Sequence, residues 1–457
     1  MMMRNMKLNY RPHFTNAYPI LLGFLTLAAV PDSHAAIDPG VRQGPLGVGQ
    51  AMIGIDATQQ SFFTAGQQVF QAPQMIGDGL GPRFNLDSCG GCHAYPAVGG
   101  SAPSTNPQFS VATAYGAQNR FPSFLSLNGP IRQARFVSKS NGTPDGTVHP
   151  LFVISGRSDG VDASGCNAVQ EDFDAEYSKK NIALRIPIPL FGDGLIEQIT
   201  DTDLMENLAD DQILKTSLGI SGRLNYSPTT GNVTRFGWKA QSPSILLFTS
   251  EALNAEMGIT NKSFPVETED TQTCQFAPLP NNQANIYNTT AVSVLDYAEQ
   301  NSLFIQLLSQ PSPSGSTTGG TASIARGEAA FDQIGCSSCH TPALSTSPNS
   351  AIAPLSSQTV LLFSDLALHN MGPGLADGIL QGVAKGDEFR TAPLWGLGQR
   401  IFFLHDGRTT DLVQAILAHA SNGNRTYGAS EANKVISKFN KLSDSMKQDL
   451  LNFLRSL

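Results

Sequence analysis

The stretch Cys89-Gly-Gly-Cys-His93 decides the fold, and Cys336-Ser-Ser-Cys-His340 repeats its pattern later in the chain. In each copy two cysteines three residues apart lie on one turn, and a histidine follows directly. This is the spacing that attaches haem c, because the two thiols form thioethers with the vinyl groups of one porphyrin while the imidazole ligates the iron. We therefore predict two covalently bound haem c groups, attached at Cys89, Cys92, Cys336 and Cys339, with His93 and His340 as iron ligands.

Two other uses of these cysteines fit the pattern less well. A zinc site needs four converging ligands, whereas each motif already contains a complete set for haem binding. A thioredoxin-like dithiol requires a compact βαβ context, but the motifs lie in Gly-rich or Ser-rich segments that lead to Pro96 and Pro342. A dithiol oxidoreductase stays as an alternative that the absence of haem would favour.

A weak internal repeat precedes both motifs. Gly66-Gln-Gln-Val-Phe70 stands before the first motif and Gly327-Glu-Ala-Ala-Phe331 before the second. A helix with glycine and phenylalanine four residues apart can approach a partner helix closely and still press a ring against a haem. Between the copies, the polar stretch 311–321 is rich in Pro, Ser and Gly and is the best linker in the chain. We therefore predict one domain over residues 37–310 and another over 322–457.

The beginning of the chain has the order of a secretory signal. Arg4, Lys7 and Arg11 precede an apolar run over residues 20–30, and small residues follow it. A run of this length is too short to cross about 30 Å of hydrocarbon, and no later apolar stretch reaches about 20 residues. We predict a signal peptide over residues 1–36, export to the periplasm and no stable membrane insertion.

The composition is that of a soluble globular protein with long loops. Among 457 residues there are 43 Gly and 28 Pro, charged residues are 14%, and the mean hydropathy is −0.11. The formal net charge is −8 at pH 7, and removal of the predicted signal peptide would make it more negative. An acidic protein of this kind is a poor partner for nucleic acid, so we predict no nucleic-acid binding.

Two cysteines lie outside the motifs. Free thiols rarely persist in an exported protein, and Cys166 and Cys274 are the only cysteines left once the motifs are assigned. We therefore predict that they form a structural disulfide.

Several longer stretches are more specific than the two short motifs. They are Gly79-Leu-Gly-Pro-Arg-Phe-Asn-Leu-Asp-Ser-Cys89, Ile186-Pro-Ile-Pro-Leu-Phe-Gly-Asp-Gly194, Arg235-Phe-Gly-Trp-Lys-Ala240, Glu256-Met-Gly-Ile-Thr-Asn261, Leu368-His-Asn-Met-Gly-Pro373, Phe389-Arg-Thr-Ala-Pro-Leu-Trp395 and His405-Asp-Gly-Arg408. Together they resemble the di-haem c-type oxidoreductases related to bacterial di-haem cytochrome c peroxidases, a family sometimes labelled thiol oxidoreductases. The resemblance implies a mainly α-helical fold with long loops and two cytochrome-c-like haem domains, one reacting with peroxide and one relaying electrons.

The resemblance places Glu256 above the first haem, where it would be the catalytic acid-base residue. We expect a helix from about Ser242-Pro243, on which Thr249, Ala252 and Glu256 share a face. A carboxylate in the last helical turn opposes the helix dipole, so fold stability would not select it there. An ordinary exposed glutamate is the alternative. Relatives also carry a glutamine in this helix, and residues 246–249 offer none.

For the second haem, the resemblance places the sixth iron ligand at His419. Leu412, Ile416 and His419 fall at i, i+4 and i+7 of a helix with a cap near Thr410, so they share one face. Met371 is the competing ligand, because a thioether is a common cytochrome ligand.

The resemblance also places Trp238 between the two haems, where it would carry electrons across the domain interface. Its alternative is an ordinary core aromatic residue. We expect His369 to line a haem edge without binding iron.

From these assignments we predict a periplasmic oxidoreductase that reduces hydrogen peroxide with electrons from a small redox protein, either a cytochrome c or a cupredoxin. Electrons would enter at the second haem, pass Trp238 and reach the first haem, where Glu256 would move a proton between the peroxide oxygens. A non-enzymatic di-haem electron-transfer cytochrome is the alternative. Peroxidase relatives also hold a calcium ion between the domains, whereas this sequence has no acidic loop of EF-hand type, so calcium stays open, as does the oligomeric state.

Overall fold

We describe a computed structural model of the chain. It describes residues 35–42, 47–113, 118–154, 165–269, 271–275, 290–315 and 319–457. The predicted signal peptide lies almost wholly outside the described residues, and residues 316–318 of the predicted linker also lie outside them. In the part that is described, no helix combines the length and the apolar character needed to cross a bilayer.

Helices separated by long loops are the main regular structure, as the sequence predicts. The α-helices are α1 (Ala57–Gln71), α2 (Cys89–Cys92), α3 (Gln108–Val111), α4 (Phe173–Ser178), α5 (Asp193–Glu197), α6 (Asp201–Ala209), α7 (Gln212–Leu218), α8 (Ile245–Met257), α9 (Ala291–Val294), α10 (Tyr297–Gln306), α11 (Gly320–Ile334), α12 (Leu412–Leu417), α13 (Asn433–Lys441) and α14 (Asp444–Ser456). Short 3-10 helices lie at Ile76–Asp78, Gln272–Cys274, Cys336–Ser338, Ala353–Leu355 and Leu397–Gln399.

The strands are short and form small antiparallel sheets, which the sequence did not lead us to expect. They are β1 (Arg83–Phe84), β2 (Gln133–Phe136), β3 (Val148–His149), β4 (Phe152–Val153), β5 (Ile182–Arg185), β6 (Asn225–Tyr226), β7 (Val233–Thr234), β8 (Leu344–Ser345), β9 (Thr359–Val360), β10 (Leu368–Asn370) and β11 (Glu388–Arg390). The pairs are β1 with β4, β6 with β7, β8 with β9 and β10 with β11, while β2 lies between β3 and β5. In this last sheet Gln133 is opposite Arg185.

The internal repeat is visible as two pairs of packed helices. α1 packs against α10, and α11 packs against α14. A Cβ atom on Gly66 would collide with the backbone of α10, and one on Gly327 would collide with the backbone of α14. Glycine therefore allows the close approach in both pairs, as the sequence predicts.

The hydrophobic core continues across the predicted linker. One buried cluster joins Phe70 and Phe304 to Leu355, which lies beyond the linker. The segment after residue 35 also contacts the end of the chain, because Asp38 forms a buried ion pair of 2.6 Å with Arg455 in α14. Residues 36–457 form one compact unit, and α11 begins at Gly320, inside the predicted linker 311–321. The division into two haem domains stays a prediction.

Cys166 and Cys274 form a disulfide in the structure, as predicted. Both residues are buried, in the same hydrophobic cluster as Phe84 and Phe152. The bond joins segments 108 residues apart in the sequence.

Candidate active site

The first motif lies in the wall of a large cavity, which we call the first cavity. Cys89, Cys92, His93, Trp238 and Glu256 line it, together with mostly apolar side chains, and it contains about 1160 Å³ of empty space, part of it open to solvent. The two cysteines lie at the ends of helix α2, as the spacing predicts. This short helix begins because the hydroxyl of Ser88 caps it by accepting a hydrogen bond from Gly91 N.

His93 is held as a neutral imidazole. Its Nδ1 donates a hydrogen bond to Gly100 O over 2.9 Å, which leaves Nε2 as the nitrogen with a free lone pair. Burial lowers the pKa of His93 to about 4. The ring of Phe70 lies 6.1 Å from the His93 ring between centroids, where the repeat predicts an aromatic side chain.

The second motif lines a second cavity with the same local construction. Cys336, Cys339, His340 and His419 line this cavity, which contains about 1410 Å³ of empty space, part of it open to solvent. His340 Nδ1 donates to Phe363 O over 3.0 Å, and burial lowers the pKa of His340 to about 4. Phe331 from the repeat lies 6.3 Å from the His340 ring between centroids.

The donor sets of both cavities fit haem c better than a reactive dithiol. Each cavity brings two thiols and one neutral imidazole to a largely apolar wall, as covalent haem attachment requires. Burial raises the pKa of the Cys89 and Cys336 thiols to about 12. A dithiol oxidoreductase needs a thiolate, so these surroundings disfavour that alternative.

Glu256 lies in the last turn of α8 and faces the first cavity. The helix begins at Ile245, where Ser244 caps it, and it ends at Met257, just before Gly258, whose φ of 65° suits glycine. Asn85 Nδ2 donates to Glu256 Oε2 over 2.6 Å, and Gln133 Nε2 donates to Oε1. Glu256 is therefore not the ordinary exposed glutamate of the alternative reading.

Burial raises the pKa of Glu256 above the usual glutamate value. The hydrogen bonds from Asn85 and Gln133 and the positive charge of Arg135 act in the opposite direction, because they stabilise the carboxylate. The side chain is thus a partly buried acid whose proton affinity is increased, while two amide donors fix the position of its oxygens.

Sequence reasoning missed both amide donors. Helix α8 contains no glutamine at residues 246–249, as noted above, but Gln133 of β2 reaches the carboxylate from a different element. Gln133 and Arg135 alternate with buried Ala134 and both line the first cavity. This alternation was the available signal for Gln133. Asn85 lies in the stretch Gly79–Cys89, which carries the family resemblance, but the sequence alone did not indicate its contact with Glu256.

The two candidate ligands of the second site both line the second cavity. His419 follows α12, which is capped by Asp411, next to Thr410, as predicted. The helix ends at Leu417, so the predicted helix is too long by two residues. His419 Nδ1 donates to Ala415 O over 2.8 Å, which leaves Nε2 free to act as a ligand. Met371 lines the same cavity. The choice between His419 and Met371 stays open.

His369 lines the second cavity but has no free nitrogen. Its Nε2 lies 2.9 Å from Asp365 and its Nδ1 lies 2.9 Å from Glu431. Burial alone would lower the pKa of His369, but Cys339 and the carboxylate of Asp365 raise that pKa well above its usual value. Because both ring nitrogens face carboxylates, neither is free to ligate iron, and we retain the prediction that His369 lies along a haem edge.

Among the His, Cys, Asp and Glu side chains of the described residues, one group of three is placed to hold a metal ion: Cys339, Asp365 and His369. Calcium binds oxygen ligands, whereas this group offers a sulfur and a nitrogen besides one carboxylate. The calcium ion stays an untested alternative.

Trp238 is the one described residue that lines both cavities. It is 8% exposed, and its indole Nε1 donates to Ile186 O over 3.0 Å. The ring of His405, which lines the second cavity, meets the indole edge-on at 6.3 Å between centroids. An aromatic side chain therefore lies in the wall between the two cavities.

A family model described as "Di-haem oxidoreductase, putative peroxidase" matches residues 139–457. The match covers more than half of the chain, so the chain belongs to this family. It includes the second motif, Trp238 and Glu256, and it begins after the first motif. The protein is a di-haem oxidoreductase by family, which implies haem cofactors.

Solved structures resemble the chain only weakly. The diheme peroxidase BthA from Burkholderia thailandensis E264 shares 16% identity over 93% of this chain and 92% of that chain, with a TM-score of 0.37. A MauG-like protein associated with microbial copper homeostasis shares 17% identity over 52% of this chain and 78% of its own, with a TM-score of 0.27. Hydrazine synthase of Kuenenia stuttgartiensis shares 18% identity, and the match covers 37% of this chain and 56% of the hydrazine synthase chain, with a TM-score of 0.23. No curated protein matches the sequence.

Proposed function

We propose that this chain is an exported di-haem c-type peroxidase that reduces hydrogen peroxide with electrons from a small redox protein. The observation that carries the proposal is the difference between the two cavities. The first presents a partly buried carboxylate, Glu256, held by two amide donors. The second presents His419 and Met371, which are metal-ligand side chains. A carboxylate exchanges protons with a substrate, whereas an imidazole or a thioether occupies a coordination position of a metal.

The cysteines and histidines of the motifs would hold the cofactors. Cys89 and Cys92 would attach one haem, with His93 as its ligand. The second haem would be held by Cys336, Cys339, His340 and His419. When bound, haem iron supplies one-electron chemistry and a site at which peroxide can react.

Glu256 would be the catalytic residue for peroxide cleavage. Its carboxylate accepts a proton from one peroxide oxygen and donates it to the other, which leaves as water when the O–O bond breaks. Overall, hydrogen peroxide takes up two electrons and two protons and becomes two water molecules. Because Asn85 and Gln133 each hold one carboxylate oxygen, they act as positioning residues. A raised pKa suits this role, since the group must both accept and release a proton.

Trp238 would carry electrons from the second site to the first. Its position in both cavity walls supports this role, and the hydrogen bond to Ile186 O fixes the orientation of the indole. The donor would be a cytochrome c or a cupredoxin.

A non-enzymatic electron-transfer cytochrome is the second candidate. Trp238 between two cavities of similar construction favours it, because relay needs only two haems and a path between them. The two functions differ in the coordination of the first haem, which a catalyst must leave open on the side of Glu256.

Spectroscopy of the purified protein, together with a turnover assay, tests the proposal. A pyridine haemochrome assay is expected to find two haems, and electron paramagnetic resonance is expected to find one high-spin and one low-spin centre in the active form. Peroxide should be consumed with reduced cytochrome c or cupredoxin as donor. If both haems are low-spin at every oxidation level and no peroxide is consumed, the protein is a non-enzymatic electron-transfer cytochrome and the peroxidase proposal is wrong. A protein that contains no haem would favour the dithiol oxidoreductase instead.

A further inference from the structure

Two buried arginine side chains in the wall of the second cavity lack an anionic partner. Arg390 is 5% exposed and Arg400 is 9% exposed, and both line this cavity. The Nε atom of each is buried without a hydrogen-bond partner. Arg390 donates one hydrogen bond, from Nη1 to the backbone oxygen of Arg235 over 2.7 Å. In the described part of the chain, neither guanidinium forms an ion pair with a carboxylate.

The two guanidinium charges repel each other. Burial lowers the pKa of both side chains to about 10, and the charge of Arg390 contributes to the lowering at Arg400. Both groups are still cationic at neutral pH. The carboxyl that acts on Arg390, Asp193, has a pKa raised to about 8 by its own burial, so it supplies little negative charge at pH 7. Two buried cations without an anionic partner are costly, so this wall favours a negatively charged ligand.

Another possible cation of this cavity, His369, is already paired with two carboxylates, Asp365 and Glu431. Among the described residues that line the cavity, Arg390 and Arg400 are therefore the cations without a carboxylate partner. Haem carries two carboxylates, its propionates, and the guanidinium group matches a carboxylate in charge and in geometry.

We propose that Arg390 and Arg400 bind the two propionates of the haem attached at Cys336 and Cys339. This inference rests on the haem part of the proposed function and not on peroxide reduction. It also orients the cofactor: Arg390 N donates to Trp238 O over 2.9 Å, so the propionate edge would lie at the wall that contains Trp238. That edge would then be the side from which an electron leaves for the first cavity.

The first cavity differs from the second in how its arginines are bound. Arg185 forms an ion pair of 2.7 Å with Asp377. Arg132 donates to Asp406 O over 2.7 Å, and Arg135 donates to Gln133 Oε1 and to Gly146 O, although neither forms an ion pair with a carboxylate among the described residues. The prediction concerns the second haem, and the first haem is an internal reference for the experiment.

The experiment is a redox titration of the haem-loaded double variant Arg390→Gln with Arg400→Gln. Arg42→Gln is the matched control, because Arg42 is also buried with an unpartnered Nε but lines neither cavity. We expect the midpoint potential of the second haem to fall, because two cations that favour the reduced form are lost, while the potential of the first haem is unchanged. We also expect the potential of the second haem to depend on pH between about 5 and 8, since propionates without cations have higher pKa values.

The inference is overturned if the second haem of the double variant titrates like that of the Arg42→Gln control. If the double variant does not fold, Arg390→Lys and Arg400→Lys keep the charge and lose the forked geometry. Each should leave the potential near that of the wild type and shift the propionate vibrations in resonance Raman spectra, and unshifted vibrations would overturn the inference. A wild-type protein with two haems but no peroxide turnover would overturn the proposed function alone, whereas a haem-free wild type would overturn both.

Discussion

The two cavities are built alike around their motifs and differently in the rest of their walls. In both, the histidine N donates to the carbonyl of the first motif cysteine over 2.9 Å, and a phenylalanine of the repeat lies near the imidazole. Elsewhere in their walls, the first cavity has Glu256 with its amide donors, and the second has His419, Met371 and the two arginines. A repeated sequence therefore reproduces the surroundings of the motif histidines, while unrelated segments supply the residues by which the two sites differ in chemistry.

The largest expected effect is the loss of one haem from one site. Cys89→Ala with Cys92→Ala removes both attachment points of the first cavity, so the protein should retain one haem in a pyridine haemochrome assay after denaturation. Cys336→Ala with Cys339→Ala is the matched variant and should retain the other haem. Two haems in either double variant would exclude covalent attachment at that motif.

The next effect is a change of iron ligation confined to the second site. His419→Ala removes an axial imidazole, so the second haem should change from low spin to high spin while the spectrum of the first haem is little altered. Met371→Leu is the matched variant and should leave both spectra unchanged. The opposite result, a spin change with Met371→Leu alone, would make Met371 the ligand.

Catalysis should depend on the carboxylate of the first site. Glu256→Gln keeps the size and removes the acid, so peroxide reduction should fall by roughly a hundred- to ten-thousandfold, the usual contribution of general acid-base catalysis. Both haem spectra should stay nearly native. Glu251→Gln changes another carboxyl that lines the same cavity, and it should cost far less activity. If Glu256→Gln and Glu251→Gln lower the rate of peroxide reduction equally, Glu256 is not the catalytic acid-base residue.

A smaller effect should follow from the loss of one amide donor. Gln133→Leu removes a hydrogen bond to a charged group, worth about 1.5–3 kcal/mol, so we expect roughly a ten- to hundredfold loss in rate. The ionised carboxylate is the active form, so the rate rises with pH through the pKa of Glu256. Because the hydrogen bond from Gln133 lowers that pKa, its removal should move the acid limb to higher pH.

Gln241→Leu is the control for this shift. Gln241 lines the same cavity but accepts a hydrogen bond from Lys239 N over 3.3 Å. Its pH–rate profile should match that of the wild type. An acid limb that stays in place in Gln133→Leu would show that Gln133 does not act on Glu256.

The smallest effect on the two sites should come from the disulfide. Cys166→Ala with Cys274→Ala removes a link across 108 residues, and the free energy of unfolding should fall by about 2–4 kcal/mol in chemical denaturation. Haem content and turnover should be unchanged. Native wild-type protein should not react with a thiol reagent until it is reduced, and labelling of either cysteine before reduction would exclude the bond.

Local spacing was sufficient for the proximal features of both sites. The cysteines and histidine of a motif lie within one turn, so their relative positions follow from backbone geometry alone. The repeat of Gly66 and Phe70 at Gly327 and Phe331 likewise predicts two close helix pairs, because only glycine permits the backbones to approach so closely. The disulfide could be predicted by counting, since one pair of cysteines lies outside the motifs.

Only the tertiary structure decided how the cavity walls are assembled away from the two motifs. Gln133 and Asn85 meet Glu256 across 123 and 171 residues of sequence, and no local pattern specifies such a contact. The same holds for the position of Trp238 in two cavity walls and for the unpaired charges of Arg390 and Arg400. The physical reason is that short-range spacing is set by the geometry of one turn, whereas these contacts depend on how distant segments pack around a shared core.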